Sequence, residues 1–167
     1  MKYQRFEDAP VWSAAQDLFV RFDGIAGHPG FRGPGDLADQ LLRAGLSVSN
    51  NIAEGFESGT TEQTITFLYY ARGSAGEVRS VLRVLAKLER FHDLKSQISD
   101  LIAHSESVSR QLRAWANSLQ NSEIAGQRRL NEHSRATYTQ RSRARAFADS
   151  LKHRFPAPGT DPDIPAT

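Results

Sequence analysis

The 167-residue chain contains no cysteine. This absence excludes disulfide bonds, thiolate zinc sites, iron–sulfur clusters and cysteine nucleophiles, and it is typical of a reducing compartment. Long hydrophobic runs are also missing: no stretch approaches the roughly 20 apolar residues that span a bilayer. The N-terminal residues 1–5 are not followed by the apolar segment of a signal peptide. We therefore expect a cytoplasmic protein that makes no membrane contact.

Net charge is low, at +2, but the charges are unevenly distributed. Residues 1–120 carry 13 lysines and arginines against 14 aspartates and glutamates, whereas residues 121–155 carry eight against three. The last twelve residues, 156–167, are rich in proline. A balanced body with a basic arm is typical of polyanion-binding proteins, but a solvated tail that only maintains solubility gives the same pattern.

Apolar residues recur at helical spacing in four segments, and no segment shows the sustained alternation of a strand. The first begins near Asp8, a candidate N-cap, with Pro10 in its first turn. The second covers about residues 36–57, and the third runs from a cap at Thr60 or Thr61 to about Phe91. The fourth covers about residues 96–119. The predicted core residues of the third segment are Phe67, Ala71, Ser74, Val78, Val81, Leu85 and Leu88. Those of the fourth are Ile98, Leu101, Ser105, Val108, Leu112, Trp115 and Leu119.

Four helices with mostly short connections predict an all-α fold, an antiparallel up-down four-helix bundle with a basic C-terminal extension. The bundle is expected to occupy residues 1–120. Residues 121–155 form the basic arm, helical or disordered, because they hold too few apolar residues to build a core. Residues 156–167 are expected to be a disordered proline-rich tail.

The apolar arc of the second segment is unusually wide. On a helical wheel Leu41 and Val48 lie on one line and Leu42 and Leu46 on its neighbour, so the arc covers roughly 200° where a helix with one buried face shows about 100°. Such a helix is expected to be buried on two sides, and the second side can face another subunit. A central helix within a monomer is the alternative.

No catalytic or metal-binding constellation is recognisable. A di-iron bundle needs two Glu-x-x-His motifs, and the chain has one, from Glu89 to His92. No histidine pair has metalloprotease spacing, and no glycine-rich phosphate loop occurs. The sequence therefore predicts a protein that is not an enzyme and that has no metal site and no cofactor.

Four arginines of the third segment share one helical face: Arg72, Arg79, Arg83 and Arg90. Their spacing predicts a ridge roughly 27 Å long on the side opposite the core. Such a ridge can contact several nucleotide phosphates, although a solvated face gives the same spacing. Tyr69 and Tyr70 precede the ridge without alternating with it, which favours contact with the nucleic-acid backbone over base reading. The glycines at 73 and 76 destabilise a helix interior, so we expect either tight packing or a close backbone contact at them.

Residues 47–55, Ser-Val-Ser-Asn-Asn-Ile-Ala-Glu-Gly, and residues 71–74, Ala-Arg-Gly-Ser, are distinctive. With them the chain resembles, over about residues 3–120, the bacterial four-helix-bundle family first noticed as reading frames inside intervening sequences of large-subunit ribosomal RNA genes. That family is related to the accessory variability determinant protein of diversity-generating retroelements. The resemblance implies an antiparallel bundle that forms a homo-oligomer, a pentameric barrel in the accessory proteins. It also implies nucleic-acid binding, association with a reverse transcriptase and no enzymatic activity.

The sequence thus leads to the hypothesis of a non-enzymatic oligomer that binds RNA or DNA, as an accessory subunit of a reverse transcriptase. An oligomeric protein-interaction module without nucleic-acid binding is the alternative. The predicted contacts are the ridge arginines and six arginines of the arm. The latter are Arg128, Arg129, Arg135, Arg141, Arg143 and Arg145.

The motif residues Asn51, Glu54 and Gly55 are interpreted as structural. Asn51 lies at the edge of the apolar arc and Glu54 on the polar strip of the same helix. A partly buried carboxylate needs a donor, because an unpaired one is costly. Arg72 of the next helix is the predicted partner of Glu54.

Overall fold

The computed structural model describes residues 3–32, 35–121 and 140. The chain divides into two units, Met1–Arg128 and Arg129–Thr167. The first contains four α-helices, and no strand occurs among residues 3–32 and 35–121. The helices are α1 (Pro10–Ala26), α2 (Leu37–Glu57), α3 (Thr61–Leu85) and α4 (Lys95–Gln120). Apart from Asn121 and Gln140, the predicted arm and tail lie outside the described residues.

The four helices pack in a ring. Each of α2, α3 and α4 contacts the helix before it in the chain, and α1 also contacts α4, which closes the bundle. The connection between α2 and α3 is Ser58–Thr60, so these helices form a tight hairpin. The predicted all-α four-helix bundle is therefore confirmed.

Side-chain caps mark the starts of α2 and α3. Asp36 accepts a hydrogen bond from the Asp39 amide at 3.1 Å, and Thr60 accepts one from the Gln63 amide at 3.2 Å. These bonds satisfy amides that lack an acceptor within the helix.

The predicted cap at Asp8 is wrong. Asp8 accepts a hydrogen bond from the Arg5 amide at 3.0 Å and closes a separate 3-10 turn, Phe6–Asp8. Ala9 is then the N-cap of α1, and Pro10 is its first residue. Pro10 suits this position because the first helical amide has no intrahelical acceptor.

The end of α3 also differs from the prediction. The helix stops at Leu85, and a 3-10 segment, Glu89–Leu94, precedes α4. Within it, Phe91 has non-helical backbone angles, and its ring is 1% exposed and lies 4.7 Å from the Phe31 ring centroid. Burial of Phe91 against the loop between α1 and α2 requires the chain to turn here.

The core consists of two clusters. One contains Val48, Leu68 and Leu112 among others, and the second contains Phe22, Leu82 and Ile98. Ser105 lies between them along α4, buried, and its hydroxyl donates to the Ala75 carbonyl of α3 at 2.7 Å.

The register of the α3 core was predicted one residue off at three positions. Leu68, Ala75 and Leu82 are fully buried, whereas the predicted residues Phe67, Ser74 and Val81 are half-buried. The reason is that α3 packs against two neighbours, so its buried arc covers the faces toward both α2 and α4. The predicted residues Ala71, Val78 and Leu85 are buried.

Helix α2 buries only part of its wide apolar arc within the chain. Leu41 and Val48 are buried as predicted, whereas on the neighbouring line Leu42 is half-buried and Leu46 is 46% exposed. Ser49 is buried, and its hydroxyl donates to the Leu46 carbonyl at 3.1 Å. Burial of Leu46 by a second subunit stays a prediction.

Candidate nucleic-acid interface

A groove between α3 and α4 brings four arginines together. Arg72 and Arg79 of α3 face Arg110 and Arg113 of α4 across a hollow of about 230 Å³. Each wall presents two arginines because residues seven apart on α3, and three apart on α4, recur on the same side of a helix.

The predicted four-arginine ridge is therefore corrected. Arg72 and Arg79 are half-buried beside α4 and do not project from the side opposite the core. Arg83 forms an ion pair with Glu106 of α4, with 3.1 Å between Nη2 and Oε1. Arg90 lies beyond the end of α3, and its guanidinium is 5.4 Å from the centroid of the Phe91 ring.

The prediction missed Arg110 and Arg113. Their spacing of three was visible and places both on one side of α4. These two arginines face Arg72 and Arg79 only because α3 and α4 pack side by side. A local sequence pattern does not specify which helices are neighbours. The six predicted arginines of the arm, from Arg128 to Arg145, lie outside the described residues.

The charges of the groove are not balanced by acidic side chains. Glu106 is the one carboxylate among the residues that line the hollow, and it already bonds to Arg83. Among residues 3–32 and 35–121, no ion pair or side-chain hydrogen bond engages the four groove arginines. Four unpaired guanidinium groups repel one another, so an anion between them is stabilised from both walls.

A second hollow of about 300 Å³ adjoins the first along α3. It is lined by Tyr69, Arg72, Gly73, Gly76, Arg79 and Ser109. The Tyr69 side chain is 40% exposed, and its hydroxyl accepts a hydrogen bond from Gln120 Nε2 at 3.2 Å. The Tyr69 ring therefore lines the same hollow as Arg72 and Arg79. The sequence spacing alone had indicated that the aromatic side chain does not alternate with the arginines.

The two glycines of α3 do not pack tightly within the chain. A Cβ atom at Gly73 or Gly76 would meet no atom within 4 Å beyond its own helix. The expected compensation by close packing is thus absent from the described part of the molecule. Both residues instead expose bare helix backbone to the hollow.

The motif residue Asn51 joins a polar contact between α2 and α3. Its Nδ2 donates to the Ser47 carbonyl at 2.7 Å and to Ser47 Oγ at 3.0 Å. Ser47 Oγ in turn lies 3.0 Å from Ser74 Oγ of α3. Asn51 therefore orients a hydroxyl pair that links the two helices.

The predicted ion pair between Glu54 and Arg72 does not form. Glu54 is exposed on α2, and no described residue makes an ion pair with it. Arg72 lies on the α4 side of α3, away from the hairpin contact. The polar layer thus contains serine hydroxyls where we expected a carboxylate and a guanidinium.

Gly55 has a steric role in the α2–α3 hairpin. A Cβ atom on it would lie 2.6 Å from Phe67 Cβ and 3.4 Å from Thr64 Cα. Its carbonyl accepts hydrogen bonds from the hydroxyls of Thr64 and Ser58. Only glycine allows α2 and α3 to approach this closely.

Residues 3–32 and 35–121 contain neither a cluster of metal-binding side chains nor a membrane-spanning helix. No group of three or more histidine, aspartate or glutamate side chains is arranged to hold a metal ion there. Among the helices of the same part, none combines the length and apolar character needed to cross a membrane.

Comparison with known proteins identifies a family and a solved structure of similar fold. A family model described as 23S rRNA-intervening sequence protein matches residues 7–114. The fold is similar to the crystal structure of a protein with unknown function from the S23 ribosomal protein family of Bacteroides thetaiotaomicron. That match has a TM-score of 0.57 and 20% identity, and it covers 64% of this chain and 97% of the other. At this identity the likeness shows the fold alone.

No curated protein matches the chain significantly. The family model, by contrast, spans all four helices up to Ala114 and includes both the α2 motif and the arginines of the α3–α4 groove. The chain therefore belongs to the 23S rRNA-intervening sequence protein family.

Proposed function

We propose that the protein is a non-enzymatic nucleic-acid-binding bundle that holds an RNA backbone in the α3–α4 groove. The observation that carries this proposal is the set of four arginines, Arg72, Arg79, Arg110 and Arg113, without carboxylate partners among the described residues. The name of the family, which refers to ribosomal RNA, supports RNA as the ligand.

The chemistry of the groove suits phosphates. A guanidinium presents donors in a planar fork that matches two phosphate oxygens, and its charge does not titrate in the physiological range. Phosphate contacts position a nucleic acid without reading its sequence. We therefore expect binding with weak sequence preference and a strong dependence on salt.

The basic arm is proposed to add phosphate contacts. Each neutralised phosphate releases counterions, so the log–log slope of affinity against salt reports the number of contacts, at about 0.7 per contact for a single strand. Deletion of residues 121–167 should flatten the slope by several units. The bundle should stay folded, because its described core ends within α4.

The groove is tested by a charge-matched pair of double variants. Arg79→Gln/Arg110→Gln removes one arginine from each wall and should flatten the slope by about 1.4. Arg21→Gln/Arg43→Gln changes the net charge equally but alters exposed residues of α1 and α2. This control should leave the slope nearly unchanged.

Filter binding with RNA and DNA, titrated from about 50 mM salt, decides between the two function classes. Equal effects of the two double variants would show that the groove is not the contact. If the full-length protein binds no nucleic acid at the lowest salt, the protein-interaction module replaces the present proposal.

We further propose, on the resemblance, that the chain assembles into a homo-oligomer with a pentamer as the expected form. The apolar side chain of Leu46 on α2, which is 46% exposed, supports self-association. Light scattering should then give about five times 18.6 kDa. Leu46→Glu should lower this mass, whereas a monomeric wild-type protein would contradict the assembly.

Association with a reverse transcriptase of a diversity-generating retroelement also rests on the resemblance. A reverse transcriptase gene beside the gene for this chain would support it. The direct test is co-purification of the two proteins after nuclease treatment. Loss of the complex on nuclease treatment would mean that the nucleic acid, and not the bundle, holds the enzyme.

A further inference from the structure

The middle of α3 contains two glycines whose presence the stability of the helix does not explain. Gly73 and Gly76 lower the helix propensity of its central turns. Neither is needed for a turn, since both lie inside one continuous helix, Thr61–Leu85. Neither makes room for a neighbouring helix, because a Cβ atom at either would meet nothing within 4 Å.

The glycines lie where the unpaired arginines converge. They line the same hollow as Arg72 and Arg79, with Tyr69 also in its lining. The absence of two Cβ atoms leaves helix backbone as the floor between two guanidinium groups. A ligand held by those groups can therefore approach α3 more closely than side chains would allow.

We infer that a single strand of RNA lies along the α3–α4 groove, with its sugar–phosphate backbone against Gly73 and Gly76 and one base stacked on Tyr69. This inference rests on the proposed function, and it adds the form of the nucleic acid and its place in the groove. The charge of the hollow favours a polyanion over a protein helix as the occupant.

The dimensions favour one strand. Neighbouring helices pack with axes about 8–10 Å apart, so arginines on both walls can reach the same strand. A duplex keeps its bases stacked inside and presents phosphates on a convex surface. It would gain little contact with the recessed glycine backbone or with an aromatic ring, whereas an unstacked base has a free face for Tyr69.

The hydroxyl of Ser109 supports the same position for the RNA strand. Ser109 of α4 lines both hollows. Its side chain has no hydrogen-bond partner among residues 3–32 and 35–121. It can donate to a phosphate oxygen or accept from a 2′-hydroxyl, which is the group that distinguishes RNA from DNA.

The glycines allow a test in which stability and binding should move in opposite directions. Gly73→Ala/Gly76→Ala should raise the Tm, because alanine favours the helix and meets no atom of the bundle. Its affinity for a 20-nucleotide oligouridylate should fall about tenfold. Gly24→Ala in α1 also meets no atom within 4 Å and should raise the Tm without changing the affinity.

The proposed stacking of a base on Tyr69 is tested by a separate variant. Tyr69→Leu should lower the affinity for oligouridylate about tenfold and leave the weaker affinity for a 20-base-pair RNA duplex unchanged. Ser109→Ala should reduce the preference for oligouridylate over oligodeoxyuridylate.

Three results would overturn the inference. One is wild-type affinity for the duplex that equals that for the single strand. The second and third both begin from unchanged oligouridylate affinity in the glycine double variant. With an unchanged assembly mass this result would leave the glycines without a binding role, and with a lower assembly mass it would assign them to a contact between subunits. Failure of the proposed function is distinguishable, because the wild-type protein would then bind neither RNA.

Discussion

Gly55 of α2 and Phe67 of α3 lie so close that a methyl group at residue 55 would be 2.6 Å from Phe67 Cβ. Phe67 Cβ is next to the backbone, so the clash cannot be relieved by rotation of a side chain. Gly55→Ala should therefore lower the free energy of unfolding by about 1–3 kcal/mol, measured by urea denaturation. Gly24→Ala, which meets no atom, is the control, and equal behaviour of the two variants would contradict the steric role.

We expect substitutions of Asn51 and Glu54, two residues of the α2 motif, to differ in their effect on stability. Asn51→Ala removes two hydrogen bonds to Ser47 and should cost about 1 kcal/mol. Glu54→Ala removes an exposed side chain and should change stability by less than about 0.5 kcal/mol. In a double-mutant cycle Glu54 and Arg72 should show no coupling. A measurable coupling energy would indicate that the two side chains form the ion pair after all.

Glu106 should weaken anion binding, because it is the acidic group among the residues lining the first hollow. Glu106→Gln should tighten RNA binding severalfold at low salt and free Arg83 for phosphate contact. Asp17→Asn on the exposed part of α1 changes the net charge equally and should have a smaller effect. Stability should fall by no more than about 1 kcal/mol, since the pair with Arg83 is largely solvent-exposed.

A pH effect is expected where the α1–α2 loop meets the segment before α4. His28 Nδ1 accepts from the Gly30 amide at 3.0 Å, so Nε2 carries a proton and donates to Asp93 Oδ2 at 2.9 Å. This bond lowers the pKa of Asp93. Its stabilising effect is therefore present above the unfolded pKa of about 3.9 and is lost as the pH falls through the lower folded value.

Unfolding of wild type and Asp93→Asn, measured from pH 7 to pH 2, checks this sign. The difference in the free energy of unfolding between them should shrink toward the acid end. His28→Ala removes the donor, so in that background Asp93→Asn should have little effect at any pH. A difference that persists at pH 2 would contradict the assignment.

Local patterns were sufficient for most of the bundle. The apolar spacing of α4 located its buried face from Ile98 to Leu112, and Thr60 was one of the two residues expected to cap α3. These features depend on residues within one or two helical turns. Helix propensity and capping act over the same distance, so the sequence carries them directly.

The failures involve contacts between distant segments. The end of α3 was misplaced because burial of Phe91 depends on Phe31, 60 residues earlier. The arginine ridge was misplaced because a helical wheel does not state which face meets α4. For the same reason the partner assigned to Glu54 was wrong, and Arg110 and Arg113 were overlooked.

The α2–α3 hairpin has a consequence for the rate of folding. Gly59 takes the left-handed conformation, with φ at +83°, directly before the Thr60 cap, and Thr64 returns a hydrogen bond to Gly55. All these contacts join residues fewer than ten apart, and local contacts require little loop closure. The hairpin should therefore be formed in the folding transition state. In stopped-flow measurements Gly55→Ala should mainly slow folding, whereas Ser105→Ala, which loses a contact between α3 and α4, should mainly accelerate unfolding.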